Sequence, residues 1–278
     1  MNRYKLLARA RMAMAGAWVA GAFMFLFAPL VVVVGASLDG GNRTFLNFPP
    51  SEVSLRWYGN ISADLFEALA LSVALGLTTA FLACLIGVPA ALGLVRAEFR
   101  GKAAVAALFR APLQIPAVVI GVSFLKLYYL IGDVAGVHLV GSLPGLLIAH
   151  LFLATPYVIG SVAAVLQRFN PRLEEAALSL GATRLRALRR VTLPVIMPGV
   201  YAGAMYAFLV SFGDVPISLF LGAPGMQPFA AKIFNLMEFD FDPSLLAIST
   251  YIIIGSFAAI YLLQRAIGLD QFTKTGGG

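Results

Sequence analysis

A single acid, Asp214, sits inside a long apolar stretch, in the run Ser211-Phe212-Gly213-Asp214-Val215-Pro216. An ionised side chain is costly in lipid, so an acid placed there marks a function or a local structural need. Two roles suit it. The carboxylate could line a pathway and attract a cationic solute. It could equally cap a helix that restarts after Pro216 and fill the backbone vacancies a proline leaves. Gly213 and Pro216 should break the helix in either case. Phe212, Tyr206 and Tyr201 lie near helical spacing from one another, as packing groups or as contacts along the same pathway. Little else could do chemistry. The sequence has two histidines, His138 and His150, and one cysteine, Cys84. No cluster of His, Asp or Glu falls within the apolar stretches, so neither a catalytic nor a metal site is expected. His150 reads as a hydrogen-bonding partner for a neighbouring helix, Cys84 as a small buried hydrophobe, and Lys126 as a side chain snorkelling to an interface. The phosphate-binding pattern G-x-x-x-x-G-K-[ST] is missing. The one Gly-Lys pair, Gly101-Lys102, is followed by Ala103 and lacks the upstream glycine. The chain should not hydrolyse ATP and is not expected to be an enzyme.

The elements that must carry these residues follow from composition. Of 278 residues, 60% are hydrophobic and 12% charged, with a mean hydropathy of +0.89. Soluble domains carry about a quarter charged residues, so lipid is the expected solvent. The net charge of +7 does not point to nucleic acid, because the basic residues sit between apolar runs rather than on one polar face with aromatics. Apolar runs of spanning length fall at about 15–38, 66–95, 108–131, 143–166, 195–221 and 244–267. Backbone in hydrocarbon must satisfy itself, so these should be helices. Leu71–Val88 lacks the strict alternation of a barrel strand. The expectation is an all-α membrane protein of six transmembrane helices in one domain over 1–278. Its first apolar run, about 12–38, is too long for a signal h-region and reads as an uncleaved helix. Gly276-Gly277-Gly278 reads as a linker remnant.

Sixteen of the twenty Lys and Arg lie in the N-terminal tail, the second and fourth loops and the C-terminal tail. Those segments should be cytoplasmic, and both termini with them. The other side carries Arg43, Arg56, Lys126 and Lys232, beside acids that include Glu238, Asp240 and Asp242. Trp57-Tyr58 in the first external loop suits an aromatic belt or an external partner.

The loop between the fourth and fifth runs reads Asn170-Pro171-Arg172-Leu173-Glu174-Glu175-Ala176-Ala177-Leu178-Ser179-Leu180-Gly181-Ala182-Thr183, leading to Val191-Thr192-Leu193-Pro194. It predicts two short helices with a hinge. Asn170 suits an N-cap and Pro171 a first helical position. Glu174 and Glu175 lie at the positive end of the helix dipole. Gly181 suits the left-handed residue that ends a helix, and Thr183 can cap the next. Such a helix is an exposed knob whose small face, Ala176 and Ala177, fits a groove on another protein.

These residues resemble a family. Glu175-Ala176-Ala177, three residues, Gly181, nine residues, Val191, one residue, Leu193-Pro194 is similar to the EAA loop of MetI-like permease subunits in binding-protein-dependent ABC importers, with Val191 where the family prefers isoleucine. The resemblance implies a type I importer transmembrane domain in a bacterial inner membrane. It also implies partners: an ATPase subunit dimer carrying ATP and Mg, a second homologous permease chain, and a periplasmic or extracellular solute-binding protein. By it, Glu174, Glu175, Ala176, Ala177, Gly181, Leu193 and Pro194 couple the chain to the ATPase. The run from Phe212 to Leu221, with Pro228-Phe229-Ala230-Ala231-Lys232-Ile233-Phe234, resembles the spermidine/putrescine group, in which an acid is common where Asp214 stands. That group also contains importers of aminophosphonates and ferric iron. Asp214, Phe212 and Tyr206 are the implied pathway residues. A secondary transporter would show paired broken helices in inverted repeats, whereas one break, near Asp214, is visible here.

Overall fold

The computed structural model describes residues 3–41, 47–239 and 241–267, without the side chains of 3–10, 259, 260, 262–264, 266 and 267. Arg43, Asp240, Lys274 and the terminal glycines, which entered the charge and remnant readings, lie outside the described residues. The regular structure of the described residues is helical; loops join the helices, and the extended pairing among those residues is two isolated bridge pairs. It divides into two compact units, Met1–Ala63 with Leu236–Gly278, and Asp64–Asn235.

In the first unit, α1 (Arg3–Ala36) packs against α12 (Ser244–Ile267). Most of α1 is apolar on every side and exposed, with Trp18 and Phe25 each 81% accessible, as expected of a helix whose solvent is lipid. Beyond α1 the chain turns back through α2 (Arg56–Gly59), and α11 (Phe229–Phe239) precedes α12 along the chain. Asp39 organises this turn. Its Oδ1 accepts from the Ser51 backbone N–H at 2.8 Å and the Ser51 hydroxyl at 2.9 Å, and Asn47 donates to Oδ2 at 3.3 Å. Burial pushes the Asp39 carboxyl up, but these donors outweigh it and hold the group below the ordinary carboxylate range. The Trp57 indole donates to the Asp39 carbonyl at 2.8 Å, and the Tyr58 hydroxyl lies 2.7 Å from Ser37 Oγ. The polar tips of both aromatics are thus engaged within the unit.

The second unit is built on α3 (Ala63–Arg96), α5 (Ala117–Ala135), α6 (Leu143–Leu166) and α9 (Leu193–Phe212). The third apolar run, expected as one span over 108–131, is instead divided. A short helix α4 (Lys102–Arg110) and a 3-10 turn (Ala111–Gln114) precede α5. The reason is Pro112 and Pro116: each lacks an N–H, and Ile115, before the second, is driven extended at ψ 130°. α5 ends at Gly136, which takes φ +68°. Among the described residues, five helices are long and apolar enough to cross a membrane, within Arg11–Ala36, Ala63–Arg96, Ala117–Ala135, Leu143–Leu166 and Arg184–Phe212. The sixth expected span coincides with α12, whose described apolar stretch, Ser244–Ala258, is shorter.

α6 is the most enclosed of these helices, and its contact with α9 is made by small residues. A Cβ on Gly199 would stand 2.9 Å from the Ser161 carbonyl, and one on Gly203 the same distance from the Val158 Cα. The G-x-x-x-G pair therefore sits where two backbones meet. Gly87 on α3 approaches Val158 as closely. Ala83, Ala154, Val158, Val162, Ile196 and Ala207 fill the rest of this contact and are fully buried, with Cys84 half-buried against them.

Replacing Gly203 by Val should force α6 and α9 apart and cost about 1–3 kcal/mol. Thermal unfolding of the purified chain should shift down accordingly. Gly160→Ala, where a Cβ meets nothing within 4 Å, is the control; equal behaviour of the two variants would remove the close contact from the account.

Candidate functional site

The loop after α6 folds as its residue types dictate. The Asn170 side chain accepts from the Arg172 N–H at 3.1 Å, and α7 (Arg172–Ser179) follows Pro171. Gly181 takes φ +87°, the left-handed conformation that ends the helix. Thr183 then accepts from the Arg186 N–H at 3.3 Å to start α8 (Arg184–Ala187). A π turn, Leu188–Thr192, carries the chain into α9, with Leu193 and Pro194 in its first turn.

No residue of α7 is buried. Glu175 and Ala176 are exposed and Ala177 is half-buried. Beside them stand Leu173, 50% accessible, and Leu180, 90% accessible. Leu173, Ala176 and Leu180 follow i, i+3, i+7 spacing and so share one face. The exposed face therefore extends beyond Ala176 and Ala177, and the helical spacing of the two leucines is the sequence signal for it. Glu174 behaves differently from its neighbour. Its carboxylate receives both guanidinium nitrogens of Arg96, Nη2 at 2.7 Å and Nη1 at 3.3 Å, and the Thr192 hydroxyl donates to it at 2.9 Å. A cleft of about 530 Å³ opens beside this group, lined by Val95, Leu166, Phe169, Glu175 and Leu178 among others.

The fifth apolar run is broken where Gly213 and Pro216 place the break. α9 stops at Phe212 and α10 (Pro216–Leu221) restarts after three residues. Asp214 lies in the gap and is 5% exposed. Its Oδ2 accepts from the Ser218 N–H at 2.9 Å and from the Ser218 hydroxyl at 3.2 Å, so it satisfies an N–H left free at the start of α10. His150, fully buried on α6, reaches over with Nε2 3.9 Å from the same oxygen and 3.3 Å from Ser218 Oγ. Its Nδ1 is 2.8 Å from Ser211 Oγ, which donates to Thr79 on α3 at 3.4 Å. One polar chain thus links α3, α6, α9 and α10. His150 has its partners on neighbouring helices, as its isolation in sequence suggested.

The aromatics near the break are not gathered around Asp214. Phe212 stacks on Phe208, with ring centres 5.6 Å apart. Tyr206 is 48% exposed and stacks on Tyr157 of α6 at 6.3 Å, and Tyr201 is also exposed. Tyr157 and Arg96 were not singled out by sequence, since their partners lie about 50 and 80 residues away along the chain and spacing carries no trace of such pairs.

Removing the carboxylate should leave the Ser218 N–H unpaired in a buried setting. Asp214→Ala is expected to destabilise the chain by about 1–3 kcal/mol, and Asp214→Asn, which keeps an acceptor, by less. Melting curves of the detergent-purified chain decide this; an alanine variant as stable as the parent would deny Asp214 its capping role.

Comparison with known proteins gives one family. The sequence model described as "Binding-protein-dependent transport system inner membrane component" matches residues 83–268. The putrescine transport system permease protein PotI of Escherichia coli K12 is 33% identical over 251 residues, 88% of each chain. The spermidine/putrescine transport system permease protein PotC of Shigella flexneri is 28% identical over 265 residues, 95% of this chain and 96% of that one. Among solved structures, a chain from a bacterial ABC transporter involved in import of the acidic polysaccharide alginate superposes with a TM-score of 0.70, covering 95% of this chain and 98% of that one at 17% identity.

Proposed function

The chain belongs to the inner membrane components of binding-protein-dependent transport systems, and we propose that within that family it forms part of the pathway for a polyamine of the putrescine–spermidine class. It is an ABC importer permease, not an enzyme, and ATP is hydrolysed by a separate subunit. The observation that carries the polyamine reading is the near full-length similarity to permeases named for putrescine and for spermidine/putrescine. The chemistry is consistent with it. Such solutes are cations joined by methylene chains. They suit an acid within a span, as Asp214 is, and an aromatic face such as that of the exposed Tyr206, stacked on the half-buried Tyr157.

The mechanism we put forward is alternating access. A binding protein delivers solute to a pathway between this chain and a homologous permease chain. The loop from 168 to 194 faces the cytoplasm and docks on the ATPase dimer, which carries ATP and Mg. Glu175, Ala176 and Ala177 meet the ATPase there, with Leu173 and Leu180 on the exposed stripe. Gly181 sets the angle between α7 and α8, and Leu193 and Pro194 carry movement into α9. Closure of the ATPase dimer pulls the loops together and opens the cavity outward; hydrolysis returns it. Asp214 is covered by its own chain in the conformation described. Its part in the pathway therefore belongs to the state in which the α9–α10 break opens, when Ser218 gives up the carboxylate to the solute.

The test is ATPase activity of the complete complex in liposomes, titrated with binding protein and spermidine, putrescine or 2-aminoethylphosphonate. Stimulation by a polyamine alone is expected. Stimulation by the aminophosphonate alone would keep the importer and discard the polyamine. In the same assay Glu175→Arg should weaken ATPase co-purification and stimulation together; wild-type values would remove the 168–194 loop from docking.

A further inference from the structure

No residue of α7 is fully buried, yet the helix has to transmit force. A helix with no buried residue can pass a displacement on only through its two chain ends or through side chains tied to other elements. One such tie exists among the described residues of α7, and it is closed on itself. Arg96, the last residue of α3, meets the Glu174 carboxylate with two nitrogens, the geometry in which a guanidinium resists rotation. The hydroxyl of Thr192, fully buried at the end of the π turn, donates to Glu174 Oε2 at 2.9 Å and accepts from Arg96 Nη2 at 3.2 Å. The Arg96 guanidinium also lies over the Phe169 ring at 5.9 Å, in the connection from α6 to α7. Three side chains thus join α7 to the end of α3 and to the start of α9. The groups are only partly accessible, 35% for the Arg96 side chain and 21% for that of Glu174.

We propose that Glu174 is a positioning residue rather than a contact for the ATPase, and that with Arg96 and Thr192 it forms the internal linkage that passes movement of α7 to α3 and α9 together. The division of labour lies in two adjacent acids. Glu175 points outward, while Glu174 points into its own chain. Without the linkage, α7 would still dock but would swing on Gly181 and the 167–171 connection, and α3 would receive nothing directly. This rests on the reading of the 168–194 loop as the ATPase-docking element.

A charge exchange tests it in the complete complex, with stimulation measured by adding the binding protein purified with its bound solute. Arg96→Glu and Glu174→Arg should each retain the ATPase on co-purification and keep its unstimulated rate. Each should lose stimulation and uptake by about tenfold, within the range of coupling between distant sites. The double exchange Arg96→Glu with Glu174→Arg should recover most of that loss. Failure of the double exchange to recover, together with loss of the ATPase from Glu174→Arg, would make Glu174 a docking contact and overturn the proposal. Single variants that couple normally would overturn it as well. Should the single exchanges fail to insert, Arg96→Lys and Glu174→Gln keep size and one hydrogen bond; they should insert and lose stimulation in part, and full stimulation in both counts against the linkage. Glu175→Arg run alongside separates the two readings, because its indifference condemns the docking loop whatever the exchange shows.

Discussion

Between Phe212 and Pro216 the backbone leaves its helix within an apolar stretch, where lipid offers no water to the groups this sets free. Much of the second unit can be understood as a response. Asp214 supplies an acceptor to the first turn of α10, but a carboxylate is itself expensive in such surroundings. It is therefore met by Ser218 and His150, and His150 in turn by Ser211, which reaches Thr79. The irregularity in one helix so determines polar residues on α3, α6 and α9. It also demands room. A Cβ on Gly121 of α5 would stand 3.2 Å from the Pro216 carbonyl, so a glycine there lets α5 lie close against the restart of the chain.

Packing elsewhere follows from the same solvent. Apolar side chains gain little by leaving lipid for one another, so association depends on close contact of backbones. Gly87, Gly199 and Gly203 all approach the turn of α6 around Val158 and Ser161. This makes α6 the fixed member of the unit. The loop that follows it has the opposite character. α7 is stabilised by its caps and by one ionic cluster and leaves its apolar face uncovered. Rigid packing stops at Leu166, and a tethered, exposed helix begins six residues later.

Features that depend on local chemistry were legible in the sequence. Gly213 and Pro216 announced the break, Gly181 the left-handed turn, Thr183 the second cap, and uninterrupted apolar runs the long helices. The division of the third run is marked by Pro112 and Pro116, but Pro89, Pro156 and Pro198 stand inside helices that continue, so a proline by itself does not announce a break. Pairings across the chain left no such mark. Arg96 read as one basic residue among those that set topology, because nothing in its neighbourhood indicates Glu174, 78 positions away. His150 could be read as needing a partner, yet its connection to Ser211 and Ser218 arises only once α6 lies against α9 and α10.

The π turn from Leu188 to Thr192 bears on how this chain aligns its two ends. Wider winding takes up one residue more than an α-helical turn, and one residue corresponds to about 100° around a helix axis. The azimuth at which α8 leaves α9 is thus set by hydrogen-bond register over five residues, independently of the sequence of either helix. If the ladder there slipped to α-helical winding, Thr192 would turn away from Glu174 while both helices stayed intact. Phase, rather than bending, is the degree of freedom that this junction offers.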